Sequence, residues 1–192
     1  MLKEGRIELG DCIQGAFAEA AAAASVSFEL LDYEDFSADA ASYTFTPASA
    51  LTADNYSQFI IAISGKTDAV NAIPTIIFSA SASNIYATGA TIAGNGTRTA
   101  LAVSGVAPLS IGNATTIPSA NINFTCLISM TINPTANYLT GYMTTMNVDG
   151  ILSEQKWFEV SASNISSVEI EMSSTGKFKA DTRFAIYGLK TS

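Results

Sequence analysis

Histidine is missing altogether from this 192-residue chain. Its absence removes the commonest general base and the commonest zinc ligand together. Charge is scarce too. Only 14% of residues are Asp, Glu, Lys or Arg, against roughly 25% in an ordinary globular domain. No apolar run approaches the ~20 residues of a membrane helix, although 48% of the chain is hydrophobic and mean hydropathy is +0.28. That apolar average also excludes wholesale disorder, which needs low hydrophobicity with high net charge. A basic face is lacking: net charge is −8 and the isoelectric point about 4.3. This balance argues against a nucleic-acid partner and against an anionic membrane surface. There is neither a Walker loop nor a Gly-x-Gly-x-x-Gly after a strand. Cysteine is limited to Cys12 and Cys126. One falls in a helix-like segment and the other in an apolar strand, so both are expected as reduced thiols made in a reducing compartment.

What charge there is sits at the ends. Residues 1–36 carry eight acids, Glu4, Glu8, Asp11, Glu19, Glu29, Asp32, Glu34 and Asp35, against Lys3 and Arg6. Residues 69–148 carry Arg98 alone. Lys177, Lys179, Arg183 and Lys190 make the tail basic. Glu4 and Glu8 also argue against a secretory signal at the start. Five Asn-x-Ser/Thr triplets without a central proline occur, at Asn55, Asn95, Asn113, Asn123 and Asn164. In so Ser/Thr-rich a chain they are expected by chance.

The first 24 residues hold the one helical candidate. Asp11 stands where an N-cap would, with Gln14 three residues on, as in a capping box. Ile13 and Phe17 lie four apart with Leu9 nearby, a short apolar stripe, and Ala20–Ala24 extends it. Such a helix needs a surface to pack on, so Leu9, Ile13 and Phe17 are the expected attachment or oligomer contacts of an N-terminal arm.

From Ser25 the period becomes two. Residues 25–30 alternate as a half-buried strand does, and Ile122, Phe124, Cys126, Ile128, Met130 and Ile132 do so over a longer run. Further strands are expected at 43–46, 59–63, 75–78, 97–103, 138–148, 157–160, 167–173 and 182–189. The stretch 81–96 reads as a long loop or an edge strand. Turn signals fall at Ser64-Gly-Lys, Gly94-Asn-Gly, Gly112-Asn, Val148-Asp-Gly and Ser174-Thr-Gly. Short strands at this spacing predict an antiparallel β-sandwich or jelly roll over residues 25–192, carrying the arm of residues 1–24. A neutral Ser/Thr surface costs little to desolvate, so it suits β-structure covered by another subunit.

Chemistry has few footholds. Ser64 and Lys66 could pair as nucleophile and base, but flank a glycine that reads first as a turn. Glu169 and Glu171 could serve as paired carboxylates, with Glu159 upstream. Their place in Val168-Glu-Ile-Glu-Met makes them the outward positions of a strand. The acidic run from Asp32 to Asp39 offers oxygen ligands without the spacing of a calcium loop, and reads first as a solvated turn after the first strand. Tyr86, Tyr138, Tyr142 and Trp157 are candidate sugar-stacking aromatics, each read first as core or interface. No catalytic residue, metal or cofactor is expected.

The segment 168–190 reads Val-Glu-Ile-Glu-Met-Ser-Ser-Thr-Gly-Lys-Phe-Lys-Ala-Asp-Thr-Arg-Phe-Ala-Ile-Tyr-Gly-Leu-Lys. It resembles the closing hairpin of a broad group of tailed-bacteriophage virion proteins, whose last strand has the form Thr-Arg-Phe-x-(Leu/Ile)-Tyr-Gly-(Ile/Leu)-Lys. The matching positions are Ser174, Gly176, Phe178, Thr182, Arg183, Phe184, Ile186, Tyr187, Gly188, Leu189 and Lys190. Residues 27–31, 41–46 and 56–63 are loosely similar to the opening strands of such proteins. The Ala-rich start and acidic front depart from the pattern. The resemblance implies a non-enzymatic β-sandwich on a phage particle, made in the bacterial cytoplasm. The expected role is a capsid decoration or accessory protein, a homotrimer contacting copies of itself and the major capsid protein. A tail-associated module binding a host glycan is the alternative. A glycan depolymerase is disfavoured, because residues 69–148 offer no acid.

Overall fold

The structure, a computed structural model, describes residues 28–49, 51–52, 54–68, 74–78, 85–93, 97–103, 109–111, 123–133, 138–147, 152–160, 164–172 and 176–190. Fourteen strands run through them. They are β1 (Phe28–Asp35), β2 (Ser42–Phe45), β3 (Leu51–Thr52), β4 (Tyr56–Lys66), β5 (Pro74–Phe78), β6 (Ile85–Ala93) and β7 (Arg98–Val103), followed by β8 (Leu109–Ser110), β9 (Asn123–Ile132), β10 (Leu139–Asn147), β11 (Leu152–Val160), β12 (Asn164–Ile165), β13 (Val168–Met172) and β14 (Arg183–Lys190). All pairings between these strands are antiparallel. An eight-stranded sheet runs β1-β14-β4-β9-β10-β11-β6-β7, a four-stranded sheet runs β2-β13-β5-β8, and β12 pairs with β3. The expected arm of residues 1–24, with its helix, lies outside the described residues.

The two sheets share one core, and the period of two decides who enters it. Phe59, Ile61 and Ile63 of β4, Phe124, Ile128 and Met130 of β9, and Phe184 and Ile186 of β14 point inward from the large sheet. Ile76 and Phe78 of β5 and Val168, Ile170 and Met172 of β13 meet them from the small one. Aromatic contacts span the gap: Tyr43 to Phe184 at 5.3 Å between ring centres, and Phe78 stacked on Phe158 at 6.2 Å. Each such buried side chain contributes about 1.5–3 kcal/mol. Thr145 is also fully buried, and its hydroxyl donates to the Ile111 carbonyl, which offsets the cost of removing it from water.

Three expectations are corrected. First, Ser64-Gly-Lys is the end of β4 and not a turn. Gly65 is there because Thr182 packs on it: a Cβ added at Gly65 would come within 2.4 Å of the Thr182 hydroxyl. Second, Asp32–Asp35 is strand and not a solvated turn. Opposite it runs the basic β14, and Asp35 pairs with Arg183. A bulge between Leu30 and Asp32 turns Leu31 toward the core and sets Asp32 beside Tyr43 of the other sheet.

Third, β13 and β14 are not a hairpin. β13 lies between β2 and β5, and β14 between β1 and β4 in the other sheet. The chain crosses between the sheets over 176–182. Phe178, fully buried, anchors the crossing by bridging to Ala40 and Thr67, and its ring meets Phe36 edge-on at 5.9 Å. Asp181 takes φ 68°, which Asp tolerates better than most residues, and its N–H donates to the Phe36 carbonyl at 2.8 Å. The alternation within each strand was legible, with Glu169 and Glu171 outward and Phe184 and Ile186 inward. The missing hairpin reflects the inward faces: both strands need a core-facing side, and facing sheets supply two. The stretch 81–96 contains β6, which is interior to the large sheet, with β7 at its edge.

Candidate functional site

The side of the large sheet turned away from the core is built by the other half of the same alternation. Strand registers place Tyr33, Ala185, Ala62, Leu127 and Thr144 side by side across β1, β14, β4, β9 and β10. One row on lie Asp35, Arg183, Ser64, Thr125 and Met146. On the other side lie Leu30, Tyr187, Ile60, Ser129 and Tyr142. The only charges in these rows are Asp35 and Arg183, and they pair with each other, Arg183 Nε donating to Asp35 Oδ2 at 3.2 Å.

Small side chains at Ala62, Ser64 and Ala185 sink the middle of this face into a groove of about 510 Å³, lined also by Thr125, Leu127, Thr144, Met146 and Arg183. Phe28 is 39% exposed, Leu30 55%, Tyr33 49%, Leu127 53% and Met146 46%. These five are the large exposed apolar side chains among the described residues, and all five stand on this face. Exposed apolar residues scattered singly are ordinary, but their concentration on one face marks an interaction surface.

A second depression, of about 690 Å³, opens where β1 passes the β2–β3 connection. It is polar, lined among others by Glu29, Asp32, Thr44, Thr46, Ser49 and Tyr56. Glu29, Asp32 and Tyr56 already have partners. Tyr56 Oη donates to Glu29 Oε1 at 2.8 Å, Lys190 Nζ lies 2.8 Å from Glu29 Oε2, and Tyr43 Oη donates to Asp32. The Lys190 and Tyr56 hydrogen bonds hold the Glu29 carboxyl below its ordinary pKa. Burial, and then the Glu29 bond, raises that of Tyr56. Tyr43 is pushed far above the usual phenol range by burial, and further by the Asp32 carboxylate.

The remaining sequence candidates do not converge. Glu169 and Glu171 stand on the outward side of β13, while Glu159 belongs to β11 in the other sheet. The acidic front is divided among separate partners. Asp32 takes the Tyr43 hydroxyl and Asp35 takes Arg183. Asp39 accepts from Lys179 Nζ at 2.7 Å and from the Ala180 N–H at 3.0 Å, which lowers its pKa. The described residues bring no three metal-ligating side chains together. Tyr138 accepts a hydrogen bond from Asn133 Nδ2 at 3.0 Å, and Tyr142 belongs to the outer face. Tyr86 and Trp157 are on β6 and β11. Leu9, Ile13, Phe17 and Cys12 lie outside the described residues, whereas Cys126 is buried on the inner side of β9.

The sequence pointed to a neutral surface suited to subunit contact, but not to the face that carries it. Its signal was available in β9, whose outward positions Thr125, Leu127, Ser129 and Thr131 hold no charge, where a solvated face would hold several.

No protein-family model matches the chain, and no curated protein matches it. Among solved structures it is similar to a plant- and prokaryote-conserved (PPC) protein of Pyrococcus horikoshii, at 10% identity and TM-score 0.26 over 86% of this chain and 84% of that one. It is similar to the CBM22-1 xylan-binding domain of Paenibacillus barcinonensis Xyn10C, at 9% identity and TM-score 0.17 over 88% of this chain and 100% of that one. The infectious bursal disease virus Gx strain structure matches at 13% identity and TM-score 0.17 over 86% of this chain and 41% of that one. Scores this low carry no argument about fold or function.

Proposed function

We propose that the chain is a non-enzymatic structural protein of a tailed-bacteriophage particle, a jelly-roll capsid decoration or accessory protein that works as a homotrimer. The observation that carries this reading is the outer face of the large sheet, which exposes large apolar side chains and holds a single, internally paired acid and base, a surface suited to protein contact and poor in chemistry. The phage setting rests on the resemblance of residues 168–190. Arg183, Phe184, Ile186 and Tyr187 of that segment belong to β14, where they serve both the core and the outer face. In this role the chain needs no cofactor, touches the major capsid protein, and holds on through residues 1–24.

The test mixes the chain with phage particles that lack it. The intact protein is expected to sediment with them, and a version without residues 1–24 to stay in solution. Unchanged binding of the shortened chain would overturn the arm, and no binding of either would overturn the capsid placement. Cleavage of a sugar chain that disappears in Glu171→Gln would overturn the non-enzymatic reading.

The polar depression beside β1 favours a second reading, a tail-associated module that binds a host glycan. Saturable binding on a glycan array, lost in Thr44→Lys at the depression's lining, would support it over the first.

A further inference from the structure

We infer that the outer face of the eight-stranded sheet is the seat of a second copy of this chain. The inference deepens the assembly reading above by naming the surface through which copies meet.

Three observations select this occupant. The first is charge. Each copy carries a net charge of −8, so most approaches bring like charges together. The rows led by Tyr33, Asp35 and Leu30 hold one acid and one base, already paired at 3.2 Å. Two copies meet there without repulsion, while a strongly charged partner finds nothing to pair with. The second is shape. The face carries protruding Leu127 and Met146 beside a groove of about 510 Å³ floored by Ala62 and Ala185. Knob and hole side by side on one face supply the two unlike patches of a head-to-tail contact, the kind that closes a trimer. The third is area. Five strands at ~4.8 Å spacing and ~30 Å long present about 700 Å², close to the roughly 800 Å² per partner of a stable interface.

Sedimentation velocity on the full chain tests this at about 1–100 µM, a range that brackets ordinary specific affinities. The unaltered protein is expected to sediment as an oligomer. Leu127→Lys and Met146→Lys each place a charge on the lining of the groove and are expected to weaken association by about 100-fold. Both positions are exposed, so the variants should keep the far-ultraviolet circular dichroism and melting temperature of the parent. Ser42→Lys, on the outward side of β2 in the small sheet, should associate as the parent does. The inference is overturned by a monomer across the whole range, or by folded Leu127→Lys and Met146→Lys that associate like the parent. It is equally overturned if deletion of residues 1–24 converts a monomer into an oligomer, because that segment would then be what covers the face. A chain that binds phage particles yet stays monomeric sinks this inference and leaves the virion reading standing.

Discussion

The two sides of the eight-stranded sheet are written in the same strands, one residue out of step. The inner side of β9 reads Phe124, Cys126, Ile128, Met130 and Ile132. The outer side reads Thr125, Leu127, Ser129 and Thr131. An antiparallel sheet with one solvated side normally alternates apolar with polar and charged residues. Here the alternation is large apolar with small, neutral or aromatic. The inner side is settled by the fold itself, because Phe78 and Ile170 of the other sheet press on it. The outer side is neither core nor conventional solvent face. The difference assigns alternate residues to separate tasks: one set holds the core, and the other, on the reading proposed above, meets another copy.

Substitutions at neighbouring positions can break that separation. The largest effects belong inside. Phe184→Ala and Ile128→Ala are expected to cost about 3–5 and 2–5 kcal/mol of folding stability, read from denaturant midpoints. Leu127→Ala, one residue from Ile128, should cost under about 1 kcal/mol. Equal losses at positions 127 and 128 would erase the distinction between the sides.

The next effect is steric. Gly141 on the inner side of β10 lies under the ring of its cross-strand partner Phe158, where an added Cβ would come within 2.2 Å. Phe158 is held in turn by its stack on Phe78. Gly141→Ala should therefore destabilise by about 1–3 kcal/mol, the usual cost of overpacking, measured by thermal melting.

A smaller effect is expected with pH. Glu29 and Asp39 have lowered pKa values, from Lys190 and Tyr56 in one case and from Lys179 and the Ala180 N–H in the other. Lowered carboxylates stabilise the fold above their ordinary range, and the gain is lost as pH falls through the lowered values. Melting temperature should fall as pH drops from about 5 towards 3, and less steeply in Glu29→Gln with Asp39→Asn. An unchanged slope would remove these ion pairs from the acid response. Smallest of all, Ser129→Ala on the outer face should stay within about ±0.5 kcal/mol by chemical denaturation.

Much of the fold was legible because burial imposes a period. The inward residues of β9, β13 and β14 could be read directly, as could their antiparallel character. Pairing partners were less legible. Val168–Met172 and Arg183–Lys190 flank turn residues like a hairpin, yet join different sheets because Phe178 carries the chain across the core. Gly65 resembled a turn residue, since nothing local announces that Thr182, more than a hundred positions away, will press on it. The acids of β1 looked solvated because their bases, Arg183 and Lys190, are equally remote in sequence. The position of the outer face was illegible for a different reason. Its mark is a lack of charge in alternate positions, and in a chain this poor in charge the lack is hard to see within any one strand.

The order of strands also has a meaning in time. β14 is the last of the fourteen to leave the ribosome, yet it lies between β1 and β4. Until it arrives, β1 has no neighbour in the large sheet and β4 has an open edge carrying Phe59, Ile61 and Ile63. Pairings this distant in sequence form slowly, and unpaired edges invite other chains. Folding of the large sheet is therefore a race between the closing strand and intermolecular pairing. Any nascent chain stopped short of Arg183 is a sticky fragment, even though most of its core is already written.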